Sequence, residues 1–336
     1  MTRDEIIEGL TTDRPAALFG EADRVRRLHV GNAIHLRGLI EFSNACGRDC
    51  VYCGLRRSNR EVSRYRMGAD EIFTSARDAA GLGFKSLVLQ SGENCQYPVK
   101  DMVTLLKRIK AELGLAITLS IGEKTRDEYA ALKEAGADRY LLRFETSSAK
   151  LFQELKPDAS FDERMRCLRW LREIGFQVGS GIMVGLPGQT PEMIADDILL
   201  MEKLDLDMIG IGPFIANPQT PLKESQSGTL GLALKAVALL RIVTKNTHIP
   251  ATTAMGSIEK GGRERALGCG ANVLMPNITP AAYREHYALY PNKICIHDQP
   301  ADTFYAIEAM VKGLGRTVAT DPGHSLKAPV AAGNIH

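Results

Sequence analysis

The sequence predicts an α/β protein: one (βα)8 barrel with a helical extension at its N-terminus. Three observations predict it. The first is length, because 336 residues suit a single core in one barrel of roughly 250 residues with flanking segments. The second is rhythm. Short β-branched or leucine-rich runs at 36–42, 86–90, 116–120, 140–144, 177–184, 208–212, 250–254 and 272–275 alternate with helical stretches, the pattern of parallel β/α architecture. The third is where polar and glycine residues fall: after the carboxyl end of nearly every run, at 43–44, 91–93, 122–123, 145–146, 185–189, 213, 255–256 and 276–277. An open doubly wound sheet accommodates the same strand count. Function spread around a whole ring of strand ends fits the closed TIM barrel better.

The elements follow in order. Residues 1–30 form the extension, with helices over 4–28, and the barrel takes 31–315. Gly83, Gly136, Gly175 and Gly270 stand just before runs two, four, five and eight, and glycine closes a helix in left-handed geometry without a Cβ clash. Thr125 with Glu128, and Ser160 with Glu163, have the spacing of capping boxes. Thr190-Pro191 offers a cap and then a proline whose missing N–H costs nothing in a first turn. Segments 101–113 and 194–204 carry apolar residues at helical spacing for the outer layer. A closing helix is expected over 302–314, then a loosely held tail over 316–336, rich in Gly, Pro and small residues. No finer repeat and no low-complexity linker interrupts the series.

Lys and Arg total 42 against 40 Asp and Glu, with no long block of one sign. Charge therefore makes no case for nucleic acid or an anionic membrane. The first thirty residues carry acidic residues throughout and lack the apolar stretch of a secretory signal, and no run approaches the roughly 20 apolar residues of a membrane span. Seven cysteines are an odd number; three crowd into eight positions while Cys95, Cys167, Cys269 and Cys295 are scattered. That is a poor disulfide framework and a good metal site, which places the chain in a reducing cytoplasm.

The three crowded cysteines follow the first strand as Cys46-Gly47-Arg48-Asp49-Cys50-Val51-Tyr52-Cys53, a C-x3-C-x2-C pattern. Three thiolates on one short loop ligate three corners of a [4Fe–4S] cubane and leave the fourth iron open. S-adenosylmethionine (SAM) can chelate that iron through its amino and carboxylate groups and accept an electron, so that its sulfonium C–S bond breaks. The competing readings are a zinc knot or ordinary free thiols, but structural zinc wants four ligands and no second cysteine pair is present.

Candidate cofactor contacts surround the triplet. Gln90, Ser91, Gly92 and Glu93 end the second run, where glycine permits close backbone approach and the carboxylate can accept from an ammonium group; a plain βα turn remains the alternative. Glu145 suits ribose hydroxyls and Arg164 a carboxylate, unless they form only an ion pair. Met183 opens a Gly-Leu-Pro-Gly-Gln-Thr turn that either meets adenine or is a tight loop. Tyr52 and Met208 complete the cofactor set, while Thr118, Arg143, Thr252, Thr253, Tyr283 and Tyr287 are candidate substrate or anion contacts. The histidines show no metal-ligand spacing.

From about residue 30 to 297 these strings together resemble the HydE family of [FeFe]-hydrogenase maturases, in the radical SAM branch shared with biotin synthase and methylornithine synthase. The likeness rests on Ile40-Glu41-Phe42-Ser43-Asn44, Cys53-Gly54-Leu55-Arg56-Arg57, Leu89-Gln90-Ser91-Gly92-Glu93, Gly185-Leu186-Pro187-Gly188-Gln189-Thr190 and Thr252-Thr253-Ala254-Met255-Gly256. It implies SAM radical chemistry during assembly of the di-iron subcluster of the H-cluster, on a cysteine-bound iron carbonyl–cyanide unit handed over by a partner maturase. It also implies small-anion sites near Arg143, Thr252 and Tyr287. Some relatives hold a second cluster near the chain end; here Cys295 is kept, but Thr303 and Ala306 stand where its companions would fall, so one cluster is expected. An organic substrate, as in the two sister families, and a bare iron–sulfur scaffold are the rival readings.

Overall fold

The computed structural model describes residues 1–93, 97–294, 296 and 299–327. Two helices, α1 (Arg3–Thr11) and α2 (Ala16–His29), lead into β1 (Ala33–Ser43). Regular alternation follows: α3 (Ala69–Gly81), β2 (Ser86–Ser91), α4 (Val99–Leu113), β3 (Ala116–Ser120), α5 (Arg126–Glu134) and β4 (Arg139–Leu141). A short α6 (Ala149–Leu155) and a longer α7 (Phe161–Ile174) precede β5 (Gln177–Val184), then α8 (Pro191–Lys203), β6 (Met208–Pro213) and α9 (Leu230–Thr244). The last third is less regular, with α10 (Thr253–Ile258), α11 (Gly262–Gly268), β7 (Val273–Leu274), α12 (Ala281–Arg284), α13 (Pro300–Gly313) and β8 (Thr317–Val318).

The paired strands are parallel and run in spatial order β6-β5-β4-β3-β2-β1-β7. Residues 248–250 close the ring: Met208 pairs with His248 and Pro250 with Val273, while Leu36 pairs with Leu274 across the other side of β7. The expected (βα)8 barrel is thus the observed architecture. One stave differs from its expectation. The run at 250–254 supplies one isolated bridge, at Pro250, rather than a strand, because Pro250 lacks a ladder N–H and Thr252 already caps α10.

Burial on both faces explains the near-continuous apolar runs; Ile40, Leu89, Leu119, Ile182 and Ile211 are fully buried. Helices cover the outside with matching stripes, as α4 does by burying Met102, Leu105, Leu106 and Ile109, the i, i+3, i+4, i+7 face. The extension packs outside this layer, α1 on α8 and α2 on α9. The four turn glycines have φ between +90° and +112°. Thr125 and Glu128 form the reciprocal capping box, whereas Glu163 turns to Arg166 and leaves Ser160 to cap alone.

The tail is not loose over its described part. β8 pairs with β1 at Ala33 and Ile34, and residues 319–327 then cross the lower, amino-terminal end of the barrel. Arg139 Nη2 donates to the carbonyls of Pro322 at 2.6 Å and Gly323 at 3.0 Å, and Arg37 Nη2 to Gly323 at 3.2 Å. His248 Nε2 lies 2.9 Å from the His324 carbonyl, and Ser325 Oγ and Lys327 Nζ reach Asp207 and Asp205, each at 2.5 Å. Buried donors demand acceptors, and the tail's backbone supplies them.

Candidate active site at the upper mouth of the barrel

Beyond β1 the chain turns across the barrel's upper mouth as the loop carrying Cys46, Cys50 and Cys53. Its own polar groups fix it. Asp49 accepts from Arg56 Nε at 2.8 Å, Ser58 N at 3.1 Å and Ser58 Oγ at 2.6 Å, and the Arg56 bond holds the Asp49 carboxyl well below the usual range. The Val51 amide donates to the Leu155 carbonyl at 2.9 Å and the Gly47 amide to the Glu93 carbonyl at 2.7 Å. All three thiols are free and line one cavity of about 330 Å³. Burial pushes each of them up, a cost that ligation to metal reverses by stabilising the thiolate.

β2 brings Gln90, Ser91, Gly92 and Glu93 to the same mouth. A Cβ on residue 92 would sit 2.2 Å from the Ala45 carbonyl oxygen and 2.8 Å from Cys46 Cβ, so the close approach that Gly92 permits is to the cysteine loop. Glu93 accepts from Arg48 Nε at 2.7 Å and from Arg164 Nη2 at 3.0 Å. Arg48 also pairs with Glu123, and Arg164 Nε lies 2.8 Å from that carboxylate. Burial works to raise the Glu93 carboxyl, but Arg164, Lys156 and Arg48 outweigh it and hold it at about 2.

At the end of β4, Glu145 adopts φ +67°, a left-handed conformation that costs a non-glycine residue about 1–3 kcal/mol and clusters at working sites. It is pinned there by its amide donating to the Gly181 carbonyl at 3.0 Å and by Arg143 Nη2 at 3.0 Å. Arg143 in turn donates to the Ile182 carbonyl at 2.6 Å.

The cavity gathers Tyr52, Gln90, Ser91, Gly92, Glu93, Arg143, Glu145, Arg164, Met183, Thr252, Thr253 and Tyr287 beside the cysteines. Three other candidates lie elsewhere. Thr118 is buried within β3, opposite Arg139. Met208 begins β6 at the lower end, where its sulfur accepts from Arg37 Nη1 at 2.6 Å. Tyr283 sits outside the barrel, donating to Glu71 at 2.6 Å and stacked on Tyr65. The turn at 185–190 is stapled by its own Gln189, which accepts from Gly185 N at 2.8 Å and donates to the Met183 carbonyl at 3.0 Å. Cys95, Cys295 and His297 fall outside the described residues.

The Radical SAM superfamily pattern matches residues 40–241. The chain belongs to the radical SAM superfamily. It is 49% identical over 325 residues to the "[FeFe] hydrogenase maturase subunit HydE" of Thermotoga maritima, spanning 96% of this chain and 93% of that one. It is 30% identical to a 3-methylornithine synthase of Methanosarcina acetivorans over 76% of this chain and 73% of that one. Among solved structures, methylornithine synthase (PylB) superposes with TM-score 0.83 at 25% identity, covering 95% of this chain and 94% of that one. HydG, a maturase of the [FeFe]-hydrogenase, shares the fold with TM-score 0.79 at 19% identity, covering 95% and 73%.

A radical SAM enzyme works with a [4Fe–4S] cluster and SAM, and the donor set fits. Three soft thiols on one short loop face one cavity, the donor set that three corners of a cubane take. The radical SAM mouth also holds residues to which sequence reasoning gave no role: Arg48, Glu123, Lys156, Glu41 and Lys293. Glu41 carried a readable signal, a carboxylate in an apolar strand run that needs a buried partner. It accepts from Lys293 Nζ at 2.5 Å and Asn277 Nδ2 at 2.8 Å. Arg48 lies within the triplet itself, whereas Lys156 belongs to no local pattern.

Proposed function

We propose that the chain is a maturase of the HydE kind, acting through one [4Fe–4S] cluster on Cys46, Cys50 and Cys53 in assembly of the di-iron subcluster of the [FeFe]-hydrogenase H-cluster. The observation that carries this reading is the 49% identity with the Thermotoga maritima maturase across nearly the whole of both chains. When bound, the cluster supplies an electron through its open iron to SAM, whose C–S bond breaks to give a 5′-deoxyadenosyl radical.

The chain's own residues bind and orient. Glu93 accepts from the amino group of SAM, Arg164 donates to its carboxylate, Glu145 accepts from the ribose hydroxyls, and Tyr52 and Met183 supply apolar contact; all face the cavity. Deeper in the barrel, Arg143, Thr252, Thr253 and Tyr287 take the small anionic ligands of an organometallic iron substrate, with Gln90 Nε2 fixing Tyr287 Oη at 3.1 Å. Other hydrogenase maturases are transient partners, and five free thiols among the described residues suit a reducing cytoplasm.

Anaerobic reconstitution with SAM and dithionite tests the reading. Wild-type protein yields 5′-deoxyadenosine, and Cys46→Ala, Cys50→Ala and Cys53→Ala yield none; an unproductive wild type would leave an iron–sulfur scaffold. The structural likeness to methylornithine synthase favours a second reading, with an organic substrate. Hydrogenase activation in a mixture with the other maturases supports the first; formation of methylornithine supports the second.

A further inference from the structure

The turn after α6 grips the cysteine loop. Leu155 offers its carbonyl to the Val51 amide at 2.9 Å, and Asp158 accepts from the Asp49 amide at 3.1 Å and from Arg48 Nη1 at 2.5 Å. Between these anchors stands Lys156. It is 4% exposed, yet it lines the cavity with Cys46 and Cys50. Among the described residues its ammonium makes no hydrogen bond and no ion pair; its contact is the Phe152 ring, 5.8 Å away. Its charge reaches Glu93, whose carboxyl it helps to hold down, but no direct ion pair fixes it there, and a buried cation gains from a further anion beside it.

The other cations at this mouth are already neutralised. Arg48 and Arg164 share Glu93 and Glu123, Arg56 holds Asp49, and Arg143 holds Glu145. Lys156 is thus a third cation beside the two carboxylates that Arg48 and Arg164 already engage, leaving one net positive charge next to the cysteine loop. Three thiolates and a cubane present net negative charge, and one-electron reduction adds another unit. In a low-dielectric pocket a fixed neighbouring cation favours the more negative state.

We propose that Lys156 is a positioning residue for the electron, a buried charge held by the 155–158 turn that raises the reduction potential of the cluster on Cys46, Cys50 and Cys53. The inference rests on the cluster assignment above. The co-reactant is a low-potential one-electron donor: it loses one electron, the cluster gains one, and no bond or proton moves in that step.

The test is a paramagnetic-resonance-monitored redox titration of anaerobically reconstituted full-length protein without SAM, using dithionite, for wild type, Lys156→Gln and Lys156→Arg. At a fixed potential near the wild-type midpoint, Lys156→Gln holds about tenfold less reduced cluster relative to oxidised, a shift of about 59 mV to more negative values for a one-electron couple. Lys156→Arg titrates with wild type. Equal midpoints for wild type and Lys156→Gln at equal iron content overturn the proposal. So does an equal shift in Lys156→Arg, which would assign the effect to packing. Loss of cluster from Lys156→Gln assigns the residue to cluster retention instead and also overturns it. A wild type with no cubane signal fails the cluster assignment, not this inference.

Discussion

Glu93 and Arg164 illustrate how much a single buried pair decides. The Glu93 carboxyl is held at about 2 against an ordinary 4.5, so its folded-state value is the depressed one. Its contribution to stability is complete above about pH 4.5 and drains away as pH falls toward about 2. Urea unfolding of the metal-free protein will show wild type losing its advantage over Glu93→Gln across that window; a constant gap from pH 7 to 3 would refute the pairing. Arg164→Met removes one of the two guanidiniums that Glu93 and Glu123 share, leaving Arg48 on both, and is expected to cost about 1–3 kcal/mol, read as a lower urea midpoint. The cysteines, Glu93 and Glu145 were legible in the sequence because their chemistry follows a strand end within a few residues. Thr118, Met208 and Tyr283 were not, since depth along a strand and side-chain direction depend on neighbours far away in sequence: Arg139, Arg37 and Glu71.

At the level of elements, the end of β2 and the cysteine loop form one unit, and Gly92 is its contact point. Gly92→Ala forces a Cβ into backbone 2.2 Å away. The expected outcome is a loss of about 1–3 kcal/mol, together with reduced iron per chain after reconstitution; full loading would show that the loop can yield. Glu145 makes the opposite prediction. Glu145→Gly relieves the φ +67° strain while removing the carboxylate we propose for the ribose hydroxyls, so thermal stability is retained as SAM affinity falls. Helix ends were readable from local chemistry, as at Thr125 and Glu128, because a cap is satisfied within four residues. The seventh stave was misread because a β-rich run containing Pro250 cannot sustain a ladder, and its remaining pairing comes from His248 and Val273 instead.

For the molecule as a whole, the lower end of the barrel depends on residues the sequence presents as a loose tail. Gly, Pro and small residues point to a loosely held tail, yet their carbonyls answer Arg37, Arg139 and His248, far upstream in the chain. Truncation after Val318 leaves those donors unmet at on the order of 1–3 kcal/mol each, and a thermal melt should fall accordingly; an unchanged melt would mean water replaces the carbonyls without loss. The sealed floor has a further bearing on traffic. The tail lies across the lower end, so the mouth that carries the cysteines is the open side of the cavity holding Arg143 and Tyr287. A guest seated at the rim would cover whatever lies under it, so ordered loading is the expectation: deep ligand first, rim ligand second.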